Sequence, residues 1–175
     1  MKLCPYCGHQ NIEGMDECDR CGHSITDAYS LVPATEVERA LLQDQLDVLH
    51  PKRPIVVDGN MPVRSVLCTL VDQGIGCVLV SVNGELAGIF SERDALCKLN
   101  VDAKELGSLP VSKFMTANPE TLQEDATVAF AVHRMDLGSF RHIPVMDGNG
   151  KLSGIISVRD ILRYLTEKMT KETSA

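Results

Sequence analysis

Four cysteines near the start of the chain have the spacing of a metal site. Cys4 and Cys7 form one C-x2-C pair, and Cys18 and Cys21 form a second pair after an interval of ten residues. Two sulfurs three positions apart can bind one metal ion from a tight turn, and the glycine that follows each pair tolerates the positive φ angle that such a turn requires. The two pairs together supply four sulfurs, which close a tetrahedral structural site and leave no coordination position for a substrate.

The segment that carries these cysteines, residues 1–27, resembles the zinc ribbons, and the resemblance implies Zn2+ as the bound metal. Iron is an alternative, since a sulfur tetrahedron also suits iron, and it would indicate a redox or electron-transfer protein. Disulfides are a second alternative, but the first residues lack the apolar region of a signal peptide, so we expect a cytoplasmic, reducing location. The segment has few apolar residues, and metal binding would therefore supply most of its folding free energy.

The distribution of charge argues against nucleic acid as a partner. The 175-residue chain has a net charge of −7, and residues 1–27 contain two basic and five acidic side chains. Phosphate contacts require lysine and arginine, so a nucleic-acid-associated zinc-ribbon factor is a weaker alternative than an unidentified protein partner for the ribbon. No apolar run approaches the length of a membrane span, and no membrane partner is expected.

A second pattern occurs twice. Residues 84–96 return 66 residues later as residues 150–162, and each copy contains a turn glycine, a short apolar strand and a Ser-x-Arg-Asp sequence at the start of a helix. Agreement in polar as well as apolar positions indicates duplication of one supersecondary unit. Hydrophobic periodicity around each copy predicts the element order β-α-β-β-α, and units of about 55 residues need to pack against each other to bury a sufficient core.

A further helix is predicted before the first copy. Thr35 and Glu38 fit a capping box, apolar residues follow at helical spacing as far as Leu49, and Pro51 ends the run. We expect this amphipathic helix to pack on its own downstream domain, and a dimer contact is the alternative.

The repeated order resembles the CBS domain pair over residues 54–168, with Phe114-Met115-Thr116 between the copies, Arg141–Val145 on a middle strand and Gly-x-x-Ser-x-Arg-Asp at each helix start. The resemblance implies an α/β (α+β) fold of tandem β-α-β-β-α repeats packed about a pseudo-twofold axis. It also implies a non-catalytic regulatory module that binds adenosine-containing ligands such as AMP, ADP, ATP or S-adenosylmethionine and acts as a homodimer. The predicted domains are a zinc ribbon at 1–27, a linker with the amphipathic helix at 28–53, repeats at 54–109 and 110–170, and a frayed tail at 171–175.

The ligand chemistry expected of the repeats depends on their helix starts. The carboxylates of Asp94 and Asp160 can accept hydrogen bonds from both hydroxyls of a ribose. Ser91 and Ser157 place a hydroxyl beside the free N–H groups of a helix N-terminus, where a phosphate can bind. Ser-x-x-Asp is also a helix-capping pattern, and the two roles are compatible.

The full predicted ligand site adds apolar strand positions that can sandwich an adenine, and a basic pair placed like the phosphate contacts of the family. The predicted residues are Ser91, Arg93, Asp94, Val78, Arg141, His142, Pro144, Ser157, Arg159 and Asp160. Only the second copy has the basic pair, so we expect unequal sites, with Arg141 and His142 serving the one that holds a phosphorylated ligand.

The remaining reactive residues do not indicate catalysis. Cys68, Cys77 and Cys97 lie in apolar stretches of sequence and are predicted to be buried thiols. The chain contains no Ser/His/Asp arrangement, no phosphate-binding loop of the Walker type and no dinucleotide fingerprint. The sequence therefore indicates no enzyme.

Overall fold

The computed structural model describes residues 2–172 except positions 5, 13, 26–34, 100 and 101. The predicted boundary between ribbon and linker, at residues 27 and 28, lies outside the described residues, as do residues 173–175 of the predicted tail. None of the described helices is long and apolar enough to cross a membrane.

The chain forms two compact units. Arg53–Glu120 make up one of them, which we call the first-repeat unit. Met1–Lys52 and Thr121–Ala175 together make up the other, which we call the second-repeat unit. The ribbon and the segment after it therefore belong to the same unit as the second sequence copy.

The ribbon contains two short strands and two matching loops. β1 (Lys2–Leu3) pairs antiparallel with β2 (Gln10–Asn11). In each loop the N–H of the first cysteine donates to the carbonyl of a histidine at 2.8 Å, and the N–H of the glycine donates back to that cysteine at 2.9 or 2.8 Å. Gly8 and Gly22 have φ angles of 68° and 67°, the positive values predicted for these turns. Among the described residues of the ribbon, the buried apolar side chains are those of three cysteines and Ile25.

The helix α1 (Glu36–Gln43) begins at the predicted capping box. Thr35 Oγ1 accepts from the N–H of Glu38 at 3.1 Å, and the Glu38 carboxylate accepts from the N–H of Thr35 at 3.3 Å. The helix ends earlier than predicted because Asp44 is extended. A 3-10 turn over Leu46–Leu49 then carries the last apolar residues of the predicted run into a core.

The first-repeat unit follows the predicted β-α-β-β-α order. Its elements are β3 (Val56–Asp58), α2 (Val63–Gln73), β4 (Cys77–Val82), β5 (Glu85–Ser91) and α3 (Glu92–Asp94), continued by a π-helical turn over Ala95–Leu99. They are followed by α4 (Ala103–Leu106), a 3-10 turn over Val111–Lys113 and β6 (Thr116–Ala117). β3 is parallel to β4, and β5 is antiparallel to both β4 and β6.

The burial of α2 explains why one cysteine prediction was wrong. Val66 and Leu70 face the core, and Cys68 lies two positions from each of them, so its side chain points to solvent. Cys97, on the π-helical turn, is also exposed, and its predicted burial is wrong as well. Cys77 in β4 is buried as predicted, and burial raises the pKa of this thiol to about 12.

The second repeat has the same order. Its elements are β7 (Leu122–Gln123), α5 (Val128–Gly138), β8 (His142–Met146), β9 (Leu152–Ser157) and α6 (Val158–Glu172). β7 is parallel to β8, and β8 is antiparallel to β9. The predicted mixed fold with two β-α-β-β-α repeats is therefore confirmed.

The core of the second-repeat unit includes residues from before the first repeat. α1 packs against α5 and α6, which confirms that this helix lies on its own domain. Leu46 and Leu49 are buried with Val145 and Ile156 in one apolar cluster. Lys52 forms a β-bridge with Ile155 of β9. The second repeat is thus completed by residues 36–52, which come long before it in the chain.

Candidate functional site

The structure brings the four predicted cysteines together. Their Sγ atoms all lie within 4.8 Å of one another, with 3.6 Å between Cys4 and Cys21 and 3.6 Å between Cys7 and Cys18. Tetrahedral bonds of about 2.3 Å from one metal ion would place the sulfurs about 3.8 Å apart, so these separations fit a single ion. No other group of three or more potential metal ligands converges among the described residues.

Asn11 supports the cluster from β2. Its side chain is buried, and Nδ2 donates to Cys18 Sγ at 3.5 Å and to the carbonyl of His9 at 3.0 Å. Its Oδ1 accepts from the N–H of Asp19 at 3.0 Å. Asn11 therefore ties the two cysteine loops together. Sequence reasoning missed this residue, because its role depends on the pairing of β2 with β1.

The thiols differ in how readily they lose a proton. Burial disfavours ionisation of Cys18, but hydrogen bonds from the N–H groups of Cys21 and Arg20 and from Asn11 outweigh it and lower the pKa of Cys18 to about 6. Burial raises the pKa of Cys7 well above its ordinary value and that of Cys21 to about 11. A bound cation would favour the thiolate forms of Cys7 and Cys21, as in a metal site.

Asp94 caps α3 in the first-repeat unit. Its Oδ2 accepts from the N–H of Ser91 at 2.9 Å and from the Ser91 hydroxyl at 2.6 Å. Its Oδ1 accepts from the Thr116 hydroxyl at 3.0 Å and lies 2.7 Å from Lys98 Nζ. Burial disfavours the charge, but the bonds from Lys98, Ser91 and Thr116 outweigh it and hold the pKa of Asp94 below its usual range.

Asp160 repeats this arrangement at the start of α6. Its Oδ2 accepts from the N–H and hydroxyl of Ser157 at 2.9 and 2.6 Å, the distances found in the first repeat. Its Oδ1 lies 3.0 Å from Arg163 Nη2 and 3.5 Å from Lys52 Nζ. Burial again disfavours the charge, and the bonds from Ser157 with the charges of Lys52 and Arg163 hold the pKa of Asp160 below its usual range.

Both Ser-x-x-Asp sequences therefore act as helix caps, one of the two roles expected of them. In each cap the serine binds Oδ2, and a cation lies against Oδ1. The side chains of Lys98 and Arg163 are 38% and 48% exposed. Each also donates to a main-chain carbonyl, Lys98 to Phe114 at 2.8 Å and Arg163 to Leu49 at 3.4 Å. Another hydrogen-bond donor would therefore reach Oδ1 of either carboxylate only by displacing this cation.

The basic pair lies beside the second cap. The carbonyl of Arg141 accepts from the N–H of Val158 at 3.0 Å, and His142 pairs with Ser157 across the sheet. In the first repeat the corresponding positions are occupied by Gly76 and Cys77. The predicted difference between the repeats therefore falls at the positions that pair with the capping serine and the first residue of the helix.

The remaining residues of the predicted ligand site are distributed over both repeats. Arg93 and Arg159 are exposed, each next to its aspartate. Val78 in β4 and Pro144 in β8 are buried, and Val78 belongs to the core of the first-repeat unit. Contact of these residues with an adenosine ligand stays a prediction.

Sequence reasoning missed the partners of the two carboxylates: Lys52, Lys98, Thr116 and Arg163. Lys98 and Arg163 lie four and three positions after their aspartates, a helical spacing at which opposite charges meet, so this signal was available. Lys52 and Thr116 come from distant segments. They reach the caps because Lys52 pairs with β9 and Thr116 with β5.

Comparison with known proteins identifies relatives of the repeats. The chain matches the family model of the CBS domain over residues 47–100 and 111–167, and the ribbon lies outside these ranges. An uncharacterized 17.7 kDa protein of Acidianus ambivalens is 31% identical over 121 residues, which cover 67% of this chain and 70% of that protein.

Solved structures share the same fold. The CBS-domain containing protein ATU1752 from Agrobacterium tumefaciens is 31% identical with a TM-score of 0.63, covering 67% of this chain and 95% of that one. The protein CBSX2, solved in complex with AMP, is 24% identical with a TM-score of 0.57, covering 69% of this chain and 96% of that one. At 24% identity the second likeness shows the fold alone.

We expect Asp160→Asn to lower the free energy of unfolding by about 1–2 kcal/mol at pH 7. The neutral amide cannot both accept the hydrogen bonds from Ser157 and form an ion pair with Arg163, as the carboxylate does. The folded-state pKa lies below the unfolded value, so the ionised group stabilises the fold above about pH 4, and this contribution is lost as the pH falls through the folded-state pKa. Urea unfolding at pH 7 and at about pH 3 measures both effects.

The matched control is Glu167→Gln, which neutralises an exposed carboxylate on the same helix and should leave stability nearly unchanged. A loss of stability in Asp160→Asn that is as large at the acidic pH as at pH 7 would contradict the assigned role of the charge.

Proposed function

The chain belongs to the CBS domain family, and we propose that it is a non-catalytic regulatory module that senses an adenosine-containing ligand, of the class of AMP, ADP, ATP or S-adenosylmethionine. The observation that carries the proposal is the pair of ionised carboxylates at matching helix starts, each held by serine at the same two distances. The AMP complex of CBSX2 supports the choice of ligand class.

Ribose recognition would use the Oδ1 atom of each carboxylate. Oδ2 is already bound by serine, whereas Oδ1 of Asp94 or Asp160 lies against the partly exposed side chain of Lys98 or Arg163. A ribose hydroxyl that replaces the cation forms a charge-assisted hydrogen bond, of roughly 1.5–3 kcal/mol. The released ammonium or guanidinium is then free to pair with a phosphate, so sugar and phosphate recognition are linked.

Signalling would follow from a shift in population. A ligand whose hydroxyl replaces the cation on a capping carboxylate binds only to conformations that allow this replacement. Its binding therefore raises the population of those conformations. The second repeat should respond more strongly to phosphate, because Arg141 and His142 lie next to the start of its capped helix and Gly76 and Cys77 occupy these positions in the first repeat.

Isothermal titration with AMP tests the proposal. Asp94→Ala and Asp160→Ala should each weaken one site by about 10–100-fold, which corresponds to the loss of one charge-assisted contact. Arg141→Ala should weaken AMP binding and leave adenosine binding unchanged, because only AMP carries a phosphate. Asp72→Ala, which removes an exposed carboxylate on α2, is the control.

Circular dichroism shows whether each variant is folded, and Arg141→Ala removes no capping group. Unchanged AMP affinity in both folded aspartate variants would refute the carboxylate assignment. Equal loss of AMP and adenosine binding in Arg141→Ala would refute the phosphate assignment.

We also propose that the four cysteines bind Zn2+ in a structural role. The separations of their sulfurs fit one tetrahedral ion, and the four ligands leave no position for a substrate. Iron fits the same ligand set and would favour electron transfer instead. The two are distinguished by colour, since an iron site with four cysteines is red and a zinc site is colourless.

Metal analysis of the purified protein should give one zinc per chain. Asn11→Ala should lower zinc affinity by about 10–100-fold, because loss of a group that orients a ligand has an effect of this size. Competition with a chelator measures the affinity, and Gln10→Ala, at the exposed neighbouring position, is the control. Absence of any bound metal, or equal affinities of both variants and the natural protein, would contradict the assignment.

An exposed apolar surface on α6 supports a homodimer. Leu162 and Met169 are 56% and 60% exposed and lie seven positions apart, on the same side of the helix. Sedimentation equilibrium should show a dimer that Leu162→Glu dissociates, whereas Val71→Glu, at an exposed position of α2, should not dissociate it. A natural protein that is monomeric would exclude the homodimer.

A further inference from the structure

We propose that metal loading of the cysteine cluster is coupled to the start of α6, and so to the Asp160 carboxylate, through the contact between the ribbon and the second repeat. The effect on ligand affinity rests on the proposed function. The effect on the order of α5 and α6 does not.

Both cysteine loops contact α5. The ring of Tyr6, in the first loop, lies 3.4 Å between centroids from the ring of His23, which follows the second loop. His23 in turn contacts His133 on α5, with 4.4 Å between ring centroids and 3.4 Å between Nδ1 and Nε2. Phe130 packs against the interior of the ribbon and against the core of the second-repeat unit. The ribbon is therefore seated on this helix by both of its metal-binding loops.

The cap of α5 is shared with the first cysteine loop. The Thr127 hydroxyl accepts from the N–H of Phe130 at 3.2 Å, which caps the helix, and donates to the carbonyl of Tyr6 at 2.9 Å. Tyr6 lies between Cys4 and Cys7, so this carbonyl is positioned by the loop that holds the metal. The corresponding helix of the first repeat, α2, begins at Pro62 without a side-chain cap.

A second set of hydrogen bonds connects α5 to α6. The N–H of Val128 donates to the carbonyl of Asp44 at 2.9 Å. The Asp44 carboxylate accepts from the Tyr164 hydroxyl and from Lys168 Nζ, each at 2.8 Å. Tyr164 is buried and lies about one turn after Asp160 on α6. Hydrogen bonds, together with the main chain between them, thus connect the first cysteine loop through α5 and Asp44 to α6, the helix that carries Asp160.

The ribbon has little apolar interior, so its order depends on the metal. Without metal the Tyr6 carbonyl is no longer held in place, Thr127 loses a partner, and the start of α5 becomes less ordered. The coupling must be reciprocal, because a ligand that favours the loaded form also raises the affinity for metal.

Hydrogen exchange on the full protein, loaded with Zn2+ or stripped by a chelator, tests the first step. Removal of metal should accelerate exchange of the Phe130 and Ala131 amides by about tenfold, a coupling of the usual size. The amides of Val66 and Leu67 in α2 are the internal reference and should not respond. Equal acceleration in α2 and α5, or none in α5, would overturn the proposal.

Tyr164→Phe tests the second step, because it removes only the hydroxyl that binds Asp44 and leaves Lys168 in place. The variant should retain the response of α5 to metal and show a smaller response of the amides after Asp160 in α6, because Lys168 alone then binds the Asp44 carboxylate. Thr166→Ala on the same helix is the control and should behave like the natural protein. An undiminished α6 response in Tyr164→Phe would overturn this route.

AMP titration with loaded and stripped protein completes the test. Metal removal should weaken AMP binding at the second repeat severalfold in the natural protein and weaken it less in Tyr164→Phe. If AMP binds neither form while α5 and α6 respond to metal, the proposed ligand is wrong and the coupling stands. If AMP binds both forms equally although it contacts Asp160, the coupling to the ligand site is refuted.

Discussion

A carboxylate that is withdrawn from water must be matched by hydrogen-bond donors, and this requirement determines both helix starts. The side chains of Asp94 and Asp160 are 12% and 4% exposed, and in each one oxygen is served by serine and the other by a cation. These bonds keep each carboxylate ionised, and they give both of its oxygens a partner. Any further hydrogen-bond donor would have to replace one of these partners, so its affinity would reflect the difference between the bonds formed and the bonds lost.

Local signals in the sequence predicted much of this molecule. The cysteine loops, the capping box at Thr35 and the Ser-x-x-Asp caps each depend on residues a few positions apart, and all were confirmed. Asn11, Lys52 and Thr116 were missed, because strand pairing brings them to their partners from elsewhere in the chain. The burial of Cys68 was predicted wrongly since an apolar stretch of sequence does not state which side of a helix faces the core.

The ribbon has less surface available for partners than its sequence suggests. Tyr6 and His23, which lie beside the four clustered cysteines, are already engaged with His133. The carbonyl of Tyr6 is engaged with Thr127. A protein partner of the ribbon, which stays a prediction, would have to use the opposite face or displace α5. The cysteine cluster is thus better placed to affect its own chain than to act as a separate module.

Leu46 and Leu49 belong to a core whose other buried residues lie between Leu122 and Tyr164. Those residues are synthesised much later than the two leucines. During translation Arg53–Glu120 leave the ribosome as one continuous piece, which can bury its interior at once. The other unit stays incomplete until α6 has emerged. The nascent chain therefore carries two exposed leucines and the four thiols of the ribbon for most of its synthesis, and early metal capture would protect those thiols from oxidation before their supporting helix exists.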